Sequence, residues 1–202
     1  MMYENNYDPY VYPGTNVLIN RFDIKDSDLL LMKEVFFSRL RYEQEMPEGN
    51  FDYSHYKAIH HHLFQDIYEW AGSSRIINIS KGSSLFASCE YVDQAMNTIL
   101  NRFSQCSEDI SSPPSFSQRI AYYFSEINAI HPFREGNGRT LRAFLDCYCK
   151  RKELKINWTS ISRDRYIQAV IAGFNGDNIP LERLFLTSIE KPSIHKKPRS
   201  TL

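Results

Sequence analysis

The sequence has no surplus of charge: 24 Lys and Arg stand against 24 Asp and Glu, a formal net charge of +0. Proteins that coat nucleic acid or anionic lipid are held there by a net basic surface. Neither class is expected here, nor is an acidic sink. Long apolar runs are missing too. The uncharged apolar stretches are as short as Leu29–Met32, whereas crossing a bilayer takes about 20 residues. No membrane partner is expected. Cysteine is scarce: Cys89, Cys106, Cys147 and Cys149 are too few and too irregularly spaced for a disulfide framework, so reduced thiols are expected. Two positions apart on a helix means about 200° of rotation, so one metal cannot take both Cys147 and Cys149. Neighbours in the run His60-His61-His62 diverge by about 100° and have no ligand partner at i+4, so this run is not read as a metal site. The start, Met1-Met2-Tyr3-Glu4-Asn5-Asn6, lacks a basic stretch followed by an apolar one, and a cytoplasmic chain is the expectation.

What is present is ordinary for a globular protein. Hydrophobic residues make up 42% and charged residues 24% of the 202 positions, so one domain with one compact core is expected. The one compositional excess is aromatic, with 13 Tyr and 13 Phe. A packed core or a ring-lined nucleotide pocket could use it.

Apolar periodicity reads mainly as helix. After an extended arm over 1–15, a helix is expected from Ser27 to about Glu45, with Leu30, Leu31, Val35 and Leu40 at helical spacing. A second runs from Ser54 to Trp70 and is closed by Ala71-Gly72. Residues 74–87 alternate and turn at Lys81-Gly82-Ser83-Ser84, which reads as a β-hairpin. Further helices are expected over 91–103, 117–130, 139–151, 162–174 and 181–189, with a Ser/Pro loop over 104–117 and a loose tail over 191–202.

One segment concentrates chemistry: His131-Pro132-Phe133-Arg134-Glu135-Gly136-Asn137-Gly138-Arg139-Thr140-Leu141-Arg142. A Gly-x-Gly turn at a helix N-terminus offers free N–H groups and the positive end of the dipole, together an anion site. Arg139 and Arg142 lie on one helical face and can grip a polyphosphate with planar forks. Glu135 is placed to hold Mg2+, a hard ion that accepts one or two carboxylates plus phosphate oxygens. His131 titrates near neutrality and can take a proton from an incoming hydroxyl. Phe133 is read as a core anchor.

This stretch resembles the Fic family motif, His-x-Phe-x-(Asp/Glu)-Gly-Asn-Gly-Arg-x-x-Arg, at every specified position. The likeness extends from Tyr12-Pro13-Gly14-Thr15 through the hairpin to Asn175-Gly176-Asp177. It implies an all-α Fic fold with a short β-hairpin flap beside the active site, spanning residues 1–190. It also implies an enzyme that transfers AMP from ATP to a Tyr, Ser or Thr hydroxyl of a target protein and releases pyrophosphate. By that resemblance His131 would be the general base and Glu135 would carry Mg2+. Gly136, Asn137 and Gly138 would cradle phosphate, and Arg139 and Arg142 would neutralise the departing pyrophosphate. Ile79, Ser80, Lys81 and Gly82 would form the flap that pairs with an extended target segment. Tyr166 and Asn175 would stand on the adenine side, and a core ring and a helix cap explain them equally well.

Fic proteins are commonly restrained by a Ser/Thr-x-x-x-Glu-Gly/Asn helix whose Glu pairs with the second motif arginine, here Arg142. Only Ser104-Gln105-Cys106-Ser107-Glu108-Asp109 approaches that pattern, and it ends in Asp within the Ser/Pro loop. The resemblance therefore implies a separate small antitoxin that supplies the Glu, a bacterial cytoplasmic setting and an endogenous target, with a secreted effector left open. Two other readings stand beside this one. Relatives with altered loops transfer UMP, phosphate or phosphocholine, and a catalytically silent nucleotide-binding scaffold would have the same fold. An intact Gly-Asn-Gly segment disfavours the first, and the presence of His131 and Glu135 disfavours the second.

Overall fold

The computed structural model describes residues 8–82, 84–105 and 112–191. Seven α-helices form among them: α1 (Ser27–Tyr42), α2 (Tyr53–Phe64), α3 (Val92–Gln105), α4 (Pro113–Ile130), α5 (Asn137–Arg151), α6 (Arg163–Phe174) and α7 (Ile179–Ser188). The strands are two residues each. β1 (Ser80–Lys81) pairs antiparallel with β2 (Ser84–Leu85), and β3 (Lys155–Ile156) pairs antiparallel with β4 (Ile189–Glu190). The expected all-α fold with a short hairpin is what forms. The described residues pack as two compact units. The first takes residues 8–82, 84–105 and 123–144, the second 112–122 and 145–191.

In the first unit, α1 opens on Asp26, whose side chain accepts from the Leu29 N–H, and α2 opens on Asp52, whose side chain accepts from the His55 N–H. The face that α1 buries is not the expected apolar one. Leu30 is buried, but Leu31, Val35 and Leu40 are exposed, and the inward positions one and two turns on are Glu34 and Ser38. Helix α2 stops at Phe64, short of the expected Trp70, and Gln65 rather than Gly72 is its C-cap. The chain then turns so that Tyr68 and Trp70 stack at 4.3 Å, and Trp70 lies against His60. Rings fill the interior. Phe144 meets Phe51 and Phe103 at 5.5 Å each, and Tyr56 stacks on Phe133 at 5.6 Å. The aromatic excess is therefore core in this unit.

The start of the chain is tied down where it is described. Val11 bridges to Leu18, Tyr10 is buried, and Arg134 grips the Asp8 carboxylate at 2.7 and 3.0 Å. Residues 1–7 of the expected arm, the Ser104–Asp109 pattern from Cys106 onward and the expected tail from Pro192 onward lie outside the described residues.

The second unit packs around Phe185, Leu181, Leu184 and Tyr148. Trp158 anchors it by donating to the Asp146 carboxylate at 2.9 Å while its ring meets Phe185 edge-on. Two expectations change here. Residues 113–117 are helix rather than loop, because proline in the first turn has no N–H to lose. Ile189 leaves the last helix to pair as strand with Ile156.

No helix among the described residues is long and apolar enough to cross a membrane.

Candidate active site

Every residue of the motif up to Arg142 lies in the first unit, on the turn between α4 and α5 and in the first turns of α5. Helix α4 ends at Ile130, and His131 follows with a left-handed φ of 52°. Proline disfavours the helical region for the residue before it, which sets that break. The turned-out imidazole places Nδ1 3.0 Å from the Asn128 carbonyl oxygen. A carbonyl can only accept, so Nδ1 carries the hydrogen and the neutral ring has its lone pair on Nε2. The Phe86 ring covers one face of the imidazole at 3.8 Å. Burial pushes the His131 pKa down to about 4, and Lys81 and Arg75 push the same way, against the Asn128 hydrogen bond and Glu135. The expected titration near neutrality is thus corrected: the ring is a neutral base across the physiological range.

The loop after His131 is held from below. Phe133 is fully buried and stacks on His60 at 3.7 Å. His60 accepts from the Gly72 N–H at Nδ1 (2.7 Å), so its Nε2–H donates to the Glu135 carbonyl at 3.0 Å. Burial depresses the His60 pKa to about 3, which keeps this tautomer neutral. Gly136 has φ 80°, and a Cβ there would lie 2.4 Å from the Phe64 ring, so glycine is required twice over. Thr140 closes the turn by donating both its N–H and its hydroxyl to the Gly136 carbonyl at 3.0 Å.

Asn137 is the first residue of α5, two positions earlier than expected. Its Oδ1 accepts from the Phe133 N–H and its Nδ2 donates to the Phe133 carbonyl, both at 2.8 Å. Both ends of its amide bond within the loop, and this fixes the loop's shape at the start of α5. The Gly136 N–H donates to Glu135 Oε1 at 2.9 Å. Gly138 stands in the first turn of α5, and a Cβ there would meet nothing within 4 Å. That open space at a helix N-terminus is where an anion fits.

The two arginines are not equivalent. Arg139 turns its guanidinium towards α1, where Nη2 pairs with Glu34 Oε1 and Nη1 donates to Ser38 Oγ at 3.2 Å. Its plane lies 4.8 Å over the Phe64 ring, and Nη2 is also 3.6 Å from Glu135 Oε1. Arg142 Nε donates to the Gly138 carbonyl at 3.3 Å. One arginine is thus held by α1 and the other is carried along α5.

The residues present suit Mg2+. Glu135 is a single carboxylate, 46% exposed, at the edge of the open turn, which is the donor set that this ion takes when phosphates supply the rest. Among the described residues, no three His, Cys, Asp or Glu cluster as an all-protein metal site.

The flap lies beside the base. Its roots are stitched to the loop by Arg75, only 2% exposed, a residue the sequence reading did not single out. Arg75 Nε donates to the His131 carbonyl at 2.8 Å and Nη1 to the Ile77 carbonyl at 2.6 Å, while Nη2 donates to Ala87 and Ile130. Ile79 is half-buried and accepts from the Phe86 N–H at 3.4 Å, whereas Ser80, Lys81 and Gly82 are exposed. Tyr166 and Asn175 belong to the second unit. There the Tyr166 ring meets Trp158 edge-on at 6.3 Å and Asn175 caps α6, the structural roles that could equally explain them.

A Fic/DOC family model matches residues 50–149. The chain is 38% identical over 176 residues to the Sinorhizobium fredii protein named Probable protein adenylyltransferase y4lH, covering 86% of this chain and 92% of that protein. The chain belongs to the Fic/DOC family. Protein adenylyltransferase VbhT of Bartonella schoenbuchensis is 34% identical over 199 residues, which are 96% of this chain and 42% of that longer protein. Among solved structures, the BepC protein of Bartonella tribocorum, with bound AMPPNP, superposes with a TM-score of 0.81 at 24% identity, over 91% of this chain and 97% of that one. At that identity the likeness supports the Fic fold and nothing finer.

Proposed function

We propose that this Fic protein transfers AMP from ATP to a hydroxyl of a target protein. The observation that carries the reading is His131: a neutral imidazole with its lone pair on Nε2, set at the mouth of a glycine turn that opens α5. The names of the relatives support the same reading.

In that reaction Nε2 takes the proton of a Tyr, Ser or Thr hydroxyl. The freed oxygen forms a bond to the α-phosphorus, and the bond from that phosphorus to the β-phosphate oxygen breaks, so pyrophosphate leaves with the electron pair. A positioned general base contributes about 10²–10⁴-fold. The α5 N-terminus at Gly138 and the guanidinium groups of Arg139 and Arg142 would neutralise charge that gathers on the leaving group. Glu135 would hold Mg2+, which when bound neutralises phosphate oxygens. Negative phosphates near His131 raise its proton affinity from the depressed value, which suits a base that must accept a proton mid-reaction. The exposed flap at Ser80–Gly82 offers main-chain groups to an extended target segment.

The reading extends to control and place. A small antitoxin would set a glutamate against Arg142, and the pair would work in the bacterial cytoplasm. The experiment is transfer of label from ATP to protein in a bacterial lysate. Label from the α-phosphate but not the γ-phosphate, absent with His131→Ala, supports adenylyl transfer. Label from the γ-phosphate would mean phosphoryl transfer, and no label at all would favour a silent scaffold.

A further inference from the structure

Glu34 has no part in the reaction as written, yet it is among the most constrained charges in the first unit. It lies on α1, is 5% exposed, and uses both carboxylate oxygens: Oε1 accepts from Arg139 Nη2 and Oε2 from the Tyr68 hydroxyl. We infer that Glu34 is a positioning residue for adenylyl transfer, which holds Arg139 on the α1 side of the loop and so keeps it from closing on Glu135. The inference rests on the adenylyl-transfer reading for the meaning of the site.

Arg139 stands between two carboxylates. Glu34 Oε1 is in direct contact with its Nη2, and Glu135 Oε1 is 3.6 Å from the same nitrogen. The two differ in surroundings. The Glu34 side chain is 6% exposed and that of Glu135 is 46% exposed, and a buried pair is screened far less than one open to water. Ser38, one turn after Glu34 on the same inward face, takes Nη1 at 3.2 Å, and the Phe64 ring takes the guanidinium plane. Three contacts therefore fix the fork in one orientation. With Arg139 committed to α1, Glu135 stays on the Gly136 N–H with its exposed side towards the open turn. Remove the charge of Glu34 and the nearest anion for Arg139 is Glu135, at i,i+4 spacing on the same turn. That pairing would withdraw Glu135 from the phosphates and turn the fork away from them. It also explains why α1 turns polar residues inward where its periodicity offered leucine and valine.

The test measures ATP binding by calorimetry with the full chain in Mg2+, which needs no target protein and no transfer. Glu34→Gln keeps the shape and removes the charge, and it should weaken ATP about tenfold, as should Arg139→Ala. The double variant should be no weaker than Arg139→Ala, because Glu34 acts through that arginine. Glu34→Asp, which keeps the charge, should recover part of the loss. Should Glu34→Gln fail to fold on melting, Ser38→Ala carries the same cycle, with an expected loss of about threefold that vanishes once Arg139 is alanine. Native affinity in Glu34→Gln, or losses that multiply in the double variant, would overturn the inference. If the wild-type chain binds ATP with this coupling but labels no protein, the adenylyl-transfer reading fails while the Glu34–Arg139 coupling stands.

Discussion

The loop at 131–140 and the flap at 79–86 adjoin in space and are built on opposite principles. In the loop, Phe133 has no exposure, Asn137 is bonded at both ends of its amide, and Gly136 leaves no room for a methyl group against Phe64. In the flap, two strands of two residues pair, Lys81 and Gly82 are exposed, and Leu85 is 80% exposed. A site that must meet a developing charge at a fixed place needs its donors set beforehand. A strand that must accept another strand needs its edge open. Arg75 joins the two regions, since one buried guanidinium bonds to the His131 carbonyl and to the Ile77 and Ala87 carbonyls at the roots of the flap.

Breaking the loop should have the largest effect. Gly136→Ala places a Cβ 2.4 Å from the Phe64 ring at a φ of 80°, and should destabilise the fold by roughly 3 kcal/mol and abolish label transfer. Thermal melting and the labelling assay check both. Arg75→Ala tests the joint itself. It removes the donors to the half-buried carbonyls of residues 77, 87, 130 and 131, so the expected loss is about 2–3 kcal/mol, with faster amide exchange in the loop and the flap together. Exchange confined to one region would show that the two are not linked.

Acid should discriminate as well. The folded-state pKa values of His60 (about 3) and His131 (about 4) lie below the ordinary 6.5, so the folded protein binds fewer protons than the unfolded chain between those limits. Stability is therefore full above about pH 6.5 and falls as pH drops towards 4, by up to about 1.4 kcal/mol per pH unit for each imidazole. Denaturant midpoints from pH 7 to pH 4 measure it, and His60→Phe should flatten the slope. The smallest effect belongs to the flap tip. Lys81→Ala should move stability by less than about 0.5 kcal/mol, because its side chain is solvated. Label on the target should fall while ATP binding holds.

How far the sequence speaks differs between these regions too. The chemistry of 131–142 was legible because each residue type has few uses in that order. The loop's supports were not, since they come from distant segments. His60 belonged to a run set aside for its failure as a metal site, and its work is to hold the Glu135 carbonyl. Glu34 was hidden by its own helix. The leucines and valine of α1 suggested an inward face, but the requirement of Arg139 for a buried partner turns that face outward. The end of α2 was misplaced because Ile67 and Trp70 keep helical spacing while the chain folds back to stack Tyr68 and Trp70. Helix α4 starts early because its prolines sit at the turn that tolerates them.

The central claim is that His131, with Nε2 bare, removes the proton of a target hydroxyl as AMP is transferred. The most direct test is intact mass spectrometry of a labelled target after incubation with ATP. The account predicts the mass increment of one AMP on a Tyr, Ser or Thr, absent with His131→Ala. An increment of phosphate, or an AMP increment that persists at full rate in His131→Ala, would contradict it.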